Sequence, residues 1–303
     1  MLERQKGGCS PPPRTSPLAT LTRARLFHAA DLFAGHLMGN RCPNCGGVDA
    51  PRVARKHGGL GSVYRCDTCA LLFRPTGLTG EAITRWYYSF AYGDDPAFTT
   101  APVADPAEAL ARARRAGKDR APIVAQLLER LAPAERSVGV LGASWGYELL
   151  AFQSLSVPVW GIEPGEARRE HGRTAFGLEL YADADEASNA GRRGGLLFSS
   201  HVLEHIPHLA DILDGWRALL QPALSLHITP SVDPFTKDRV TTIGREHPIG
   251  VTREFWRRWC AARALDLWLG HTPGHPDGEG QETAAVLGAP GFDLAGLSLR
   301  RSA

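Results

Sequence analysis

From Val138 to Glu163 the chain reads VGVLGASWGYELLAFQSLSVPVWGIE, and the rest of the sequence is organised around this stretch. Val138, Val140 and Leu141 form a short apolar run of strand character. A turn bounded by two glycines follows, Gly142-Ala143-Ser144-Trp145-Gly146. A helical segment, Tyr147 to Ser154, then leads into a second apolar run, Val157 to Ile162, which stops on Glu163. Strand, glycine turn, helix and strand in that order make the first half of a nucleotide-binding βαβ unit. Glycines let the main chain pass close to a ligand, and an acid ending the second strand can accept hydrogen bonds from both hydroxyls of a ribose. Such turns also occur without a ligand, so the turn alone leaves both readings open.

The chain beyond Glu163 keeps alternating. Residues 165–175 have a helical pattern, Leu178 to Tyr181 is a short strand followed by Asp183 and Asp185, and Gly195 to Ser200 is a further strand. Ile206 to Leu220 is expected to be a helix between Pro207 and Pro222, and Ala223 to Thr229 a strand. Pro230 to His247 is a long loop carrying Lys237, Arg239 and Arg245. Thr252 opens a helix as N-cap, with Phe255, Trp256 and Trp259 on one side. Leu265 to Gly270 and Thr283 to Leu287 close as an antiparallel pair across a turn-rich connection. The expected fold is α/β: a doubly wound, Rossmann-like, seven-stranded sheet with an antiparallel edge hairpin. A helical pattern over Pro106 to Leu131 would cover the sheet ahead of its first strand.

Ahead of this domain stand Cys42-Pro43-Asn44-Cys45 and Cys66-Asp67-Thr68-Cys69. Two C-x-x-C knuckles at this separation supply four thiolates that can close a tetrahedral zinc site at Cys42, Cys45, Cys66 and Cys69. Gly58, Gly59 and Gly61 punctuate the stretch between them, as in the hairpin of a zinc ribbon. Four thiolates leave no position for water, so the expected role is structural. The N-terminus lacks the hydrophobic core of a signal peptide, and no run approaches the roughly 20 apolar residues of a membrane span. These features point to a reduced, cytoplasmic chain with no membrane partner, in which paired cysteines are metal ligands rather than disulfides. Residues 1–16 have a disordered composition, with Cys9 an idle thiol, and Leu18 to Leu37 places Leu26, Ala30, Phe33 and Leu37 at helical spacing. That helix is expected either to pack on the body or to bind a partner. Glu81 to Tyr92 is dense in aromatics (Trp86, Tyr87, Tyr88, Phe90, Tyr92), either a packed linker helix or a wall of a substrate pocket. The resulting division is 1–38, tail and helix; 39–75, zinc ribbon; 76–134, linker helices and cap; 135–290, the main domain; and 291–303, a tail.

At Ser199-Ser200-His201-Val202-Leu203-Glu204-His205-Ile206-Pro207 the chain resembles the post-strand signature of class I S-adenosylmethionine-dependent methyltransferases. Gly142 to Gly146 falls at that family's first motif and Ile162-Glu163-Pro164 at its ribose-binding acid. The CPNC…CDTC module is similar to the zinc ribbon of a subset acting in sugar, polysaccharide or secondary-metabolite pathways. The resemblance implies S-adenosylmethionine as cofactor, bound by Gly142, Ala143, Ser144, Gly146, Glu163, Asp183, Ser200 and His201. Asp183 would meet the adenine edge, and His201 or His205 would act as catalytic base or substrate partner. The chain departs from the family pattern at Val140, where an acid is usual, at GASWG, which is poor in glycine, and at Gln221-Pro222-Ala223, where Pro-Gly-Gly is usual.

His201, Glu204 and His205 stand at i, i+3 and i+4, on one face if the segment is helical. Certain quinone-biosynthesis and small-RNA 2′-O-methyltransferases look similar here and bind a divalent ion. His247 ahead of Thr252-Arg253-Glu254-Phe255 matches the further His of the RNA enzymes. A second metal site at His201, Glu204, His205 and His247, holding a cation such as Mg2+, is therefore one expectation; hydrogen bonding to main chain or substrate is the other. Net charge is +2, with 22% charged residues, and no dense basic cluster occurs, which argues against nucleic acid. The expected activity is methyl transfer to a small-molecule acceptor, a sugar, polysaccharide precursor or secondary metabolite, with O-methylation favoured. A catalytically degenerate zinc-binding scaffold and an RNA methyltransferase are the alternatives. The oligomeric state is not defined by the sequence.

Overall fold

A computed structural model of the chain describes residues 26, 29–37, 39–56, 61–77, 102–115, 119–193, 195–233, 242–244, 247–272, 282–292 and 300–301. The expectations for residues 1–16, for Gly58 and Gly59, for Trp86 to Tyr92, and for Lys237, Arg239 and Arg245 lie outside the described residues.

Helix α1 runs through residues 29–37. Its spacing predicts a helix that packs on the body or binds a partner, and Leu26, Phe33 and Leu37 are 66%, 69% and 73% exposed. The helix docks by its polar and small side instead. Buried Asp31 accepts from Arg74 Nη2 (2.6 Å), Thr76 Oγ1 (2.7 Å) and the Gly77 amide (2.7 Å). Gly35 lies so close to the Pro75 main chain that a Cβ there would come within 2.6 Å of it. A buried, charge-assisted cluster with close main-chain contact sets the helix orientation here.

Strands β1 (Arg52–Lys56), β2 (Gly61–Arg65) and β3 (Leu72–Phe73) form an antiparallel ladder between and after the two cysteine knuckles. The helical pattern over 106–131 resolves into two helices, α2 (Pro106–Arg115) and α3 (Ala121–Leu128). Pro122 sits in the first turn of α3, where a missing amide proton costs nothing, and could not have been accommodated inside one continuous helix.

The main sheet is built from β4 (Val138–Leu141), α4 (Tyr147–Gln153), β5 (Val159–Ile162), α5 (Glu166–Phe176), β6 (Leu180–Tyr181), α6 (Ala184–Asn189), β7 (Leu196–Ser200), α7 (Leu209–Leu220) and β8 (Leu224–Pro230). Then come β9 (Ile249–Gly250), α8 (Arg253–Ala261), β10 (Asp266–His271), β11 (Glu282–Gly288) and β12 (Arg300–Arg301). Its order is β12-β10-β11-β8-β7-β4-β5-β6. Strands β4 to β8 pair in parallel, and β11, β10 and β12 add antiparallel. This is the doubly wound sheet with an antiparallel edge that the alternation implies, extended from seven strands to eight by the two residues of β12. Strands β4, β7 and β8 are buried along almost their full length, as a parallel sheet covered on both faces requires. Val140, Phe152, Phe198, Leu226 and Val286 pack on one face; Trp160, Leu197 and Leu220 pack on the other.

Two local departures matter for the site. The helix expected from Ile206 begins only at Leu209, and Leu203 to His205 is a single 3-10 turn. Ile206, just before Pro207, is extended (φ −110°, ψ 97°), the conformation a following proline favours. The second departure is β9: although it lies far along the chain, it pairs with β3, giving a four-stranded sheet in the order β1-β2-β3-β9.

Candidate functional site

The strand order reverses direction at β4, whose neighbours are β5 and β7. In an open α/β sheet the crevice outside the carboxyl ends of the strands at such a switch point is where ligands bind. The sequence-derived candidates converge there: Gly142 to Gly146 follows β4, Glu163 follows β5, Ser200 ends β7 and His201 follows it. The turn needs its glycine at 142. Gly142 has φ +68°, and a Cβ there would lie 2.5 Å from the Val202 side chain. Ser144 holds φ +50°, the left-handed region that glycine adopts without strain. Trp145 packs edge-on to His171 and under the Arg168 guanidinium, and its indole nitrogen is buried without a hydrogen-bond partner among the described residues.

Glu163 is buried at 4% exposure. One carboxylate oxygen accepts from the Ser144 amide and the other from the Gly165 amide, each at 2.8 Å, with Arg168 Nη1 at 4.0 Å. The acid thus ties the β4 turn to the β5 turn. Each oxygen has a second lone pair, so the residue can still accept a ligand hydroxyl. Asp183 caps α6, accepting from the Glu186 amide at 2.8 Å. Ser200 Oγ is buried and makes no hydrogen bond among the described residues, a feature that fits a site built for a polar ligand.

Beyond the end of β7 the structure divides the four residues expected to share a metal. His201, at φ +54°, is clamped between two buried carboxylates: Nε2 lies 2.7 Å from Glu282 Oε1 and Nδ1 lies 3.4 Å from Glu204 Oε1. Burial opposes ionisation of this ring, but Glu204 and Glu282 outweigh it and hold the imidazolium up to about 9. His201 thus has a carboxylate facing each ring nitrogen. It also lies outside the potential ligand set. Glu204, His205 and His247 place ligand atoms within 4.8 Å of one another, and the two imidazole centroids are 4.7 Å apart. Burial disfavours the charged form of Glu204, yet His201 and the neighbouring imidazoles hold its carboxyl below the usual range.

Glu282 and Arg120 are the residues the motif reading missed. Arg120 Nη2 donates to both Glu282 oxygens, at 2.8 and 2.6 Å, and Thr272 Oγ1 donates to the same carboxylate. Although burial works against its charge, contact with His201 and Arg120 pulls Glu282 down to about 2. An acid opening an otherwise apolar strand, Glu282-Thr-Ala-Ala-Val-Leu, is the signal that could have marked it.

The cysteine knuckles form a second centre. Sγ atoms of Cys42 and Cys69 are 3.6 Å apart, those of Cys45 and Cys66 3.4 Å, and all four lie within 4.8 Å. Tetrahedral zinc at a Zn–S distance of about 2.3 Å needs sulfur separations of about 3.8 Å, so the cluster fits such an ion with little adjustment. Gly46 (φ +70°) and Ala70 (φ +64°) turn the chain just after each knuckle. Among the described residues no helix is long and apolar enough to cross a membrane.

No family model matches the chain, and no curated protein matches it. Solved structures do. The plantazolicin methyltransferase BpumL, in complex with a monoazolic desmethylPZN analogue and SAH, is 10% identical, covering 68% of this chain and 95% of its own with a TM-score of 0.48. Magnesium protoporphyrin IX methyltransferase from Synechocystis PCC 6803, with bound SAH, is 12% identical over 69% and 100% (TM-score 0.46). A possible histamine N-methyltransferase from Thermotoga maritima is 13% identical over 60% and 95% (TM-score 0.42).

Proposed function

We propose that this chain is a cytoplasmic enzyme that transfers a methyl group from S-adenosylmethionine to a small-molecule acceptor, with a hydroxyl of a sugar, polysaccharide precursor or secondary metabolite as the favoured target. The observation that carries this reading is the convergence of the Gly142–Gly146 turn, Glu163 and Ser200 at the switch point of the sheet. When bound, S-adenosylmethionine supplies a methyl group already activated by its sulfonium. The chain's own work is then to bind, align and keep water out, which is where most of the rate arises in such a transfer. Gly142, Ala143, Ser144 and Gly146 line the cofactor, Glu163 accepts from the ribose hydroxyls, Asp183 stands near the adenine edge, and Ser200 donates towards the methionine end. With no cation bound, His201 or His205 would take the acceptor's proton or hydrogen-bond the substrate.

Zinc at Cys42, Cys45, Cys66 and Cys69 is structural in this reading. A divalent cation would be held by Glu204, His205 and His247, where it would lower the pKa of a substrate hydroxyl and orient it. Two imidazoles and one carboxylate suit Mn2+ or Zn2+ better than the Mg2+ first expected, because Mg2+ favours all-oxygen shells.

One observation favours the non-catalytic alternative: both Glu163 oxygens already serve main-chain amides. Calorimetric titration of the zinc-loaded protein with S-adenosylhomocysteine decides between them. Micromolar binding that weakens about tenfold or more in Glu163→Gln supports the cofactor site, since the amide loses one acceptor atom for the ribose. No binding by folded wild type would sink the enzyme reading and leave the scaffold.

A further inference from the structure

We infer that the cysteine module and α1 together build the acceptor side of the site, and that Arg74 is the positioning residue through which they hold His247 against His205. The inference rests on the acceptor side proposed above. Arg74 follows β3 directly and is 6% exposed. Its Nη2 is anchored on Asp31 of α1 at 2.6 Å. From that anchor it grips the loop carrying His247 at both ends: Nε donates to the Gly244 carbonyl at 2.5 Å, and its main-chain amide donates to the Pro248 carbonyl at 2.9 Å. The Gly244 amide donates to the His247 carbonyl and closes the loop between these two grips.

Three further contacts run in the same direction. Leu72 and Phe73 pair with Gly250 and Ile249, so the strand leaving His247 is a strand of the cysteine module's sheet. Thr252 Oγ1 donates to the carbonyl of Ala70, the residue after the second knuckle, at 2.8 Å. Asn44, inside the first knuckle, accepts from the Ala210 amide of α7 at 2.7 Å. Beneath these, Cys42, Cys66, Leu71 and Phe73 share one core with Leu203 and Leu209, which flank Glu204 and His205. None of these contacts reaches the Gly142–Gly146 turn or Glu163. The contacts of the module and α1 therefore gather on the side of Glu204, His205 and His247.

Arg74→Lys tests this, because lysine keeps the charge opposite Asp31 but lacks the planar fork that also reaches Gly244. Amide exchange would be followed by mass spectrometry on the full zinc-loaded chain, alongside Mn2+ binding by electron paramagnetic resonance and S-adenosylhomocysteine binding by calorimetry. The expected result is exchange at least about tenfold faster over residues 247–251, with residues 138–142 and 196–200 and S-adenosylhomocysteine affinity unchanged. Mn2+ affinity should fall about tenfold, and Arg74→Lys combined with His247→Ala should bind Mn2+ no more weakly than His247→Ala alone, because the two act through one ligand. Unchanged exchange at 247–251 in folded Arg74→Lys, or additive losses in the double variant, would overturn the inference. If wild type takes up no Mn2+, the cation reading fails while the exchange measurement still decides the role of Arg74. Should Arg74→Lys not fold, Asp31→Asn is judged by the same readouts.

Discussion

His227 lies in the middle of β8, fully buried, with Nδ1 2.8 Å from Ser199 Oγ and its ring stacked on Trp256 at 5.5 Å. Burial, reinforced by the charge of Arg217, pushes its imidazole down to about 3. The unfolded chain takes up this proton near pH 6.5 and the folded one does not, so its contribution is complete above that pH and is lost as pH falls towards 3. Between pH 7 and pH 5 this amounts to about 2 kcal/mol. Urea titrations at both values should show wild type losing about that much more stability than His227→Gln, which cannot ionise; equal losses would mean that His227 is solvated. Ala70 gives a second residue-scale outcome. It holds φ +64° beside the knuckle without glycine's freedom, so Ala70→Gly should stabilise the zinc-loaded protein by about 0.5–1 kcal/mol in urea unfolding. At this scale the motif glycines and Glu163 were legible because each has a local signature. Glu282 and Arg120 were not, because their pairing spans 162 positions and only folding brings the two side chains together.

Among the elements, α8 shows how far a short signal reaches. Thr252 was readable as its N-cap, and its side chain does accept from the Phe255 amide at 3.0 Å. The same hydroxyl donates to Ala70 across the module, which no local pattern announces. Thr252→Ala should therefore cost more than an ordinary cap, about 2 kcal/mol or above, while Thr252→Ser should retain most of the stability; equal losses in thermal unfolding would exclude the hydroxyl as the cause. Alternation placed nearly every strand and helix of the main sheet to within a few residues. It failed where a proline redirected the chain, before α3 and between the 3-10 turn and α7, and it did not reveal that α1 docks by Asp31 and Gly35.

For the molecule as a whole, the cysteine centre is not a pendant. Cys42 and Cys66 lie in the same core as Leu203, Leu209, Phe255 and Trp256, and Arg258 of α8 donates to the carbonyls of Asp67 and Thr68. With zinc on the four cysteines as proposed, stripping it with a strong chelator should lower the melting temperature by at least about 5 °C and loosen β3 and β9 first, as metal-supported folding predicts. Binding of S-adenosylhomocysteine should survive at temperatures below the new transition, because β4, β5 and β7 do not pair with the strands of the module's sheet. A lost cofactor site with β3 and β9 intact would contradict this division.

The sequence by itself determined the sheet, the glycine turn with its acid, and the four cysteines, since each rests on periodicity or spacing within a few tens of residues. Tertiary structure alone decided that His201 belongs to Glu282 and not to the potential ligand set, that β9 is lent to the cysteine module, and that Arg74 holds the loop of His247. These are contacts between residues far apart in the chain, made where buried charges must find partners. Which partner each charge finds depends on packing that no local stretch of sequence encodes.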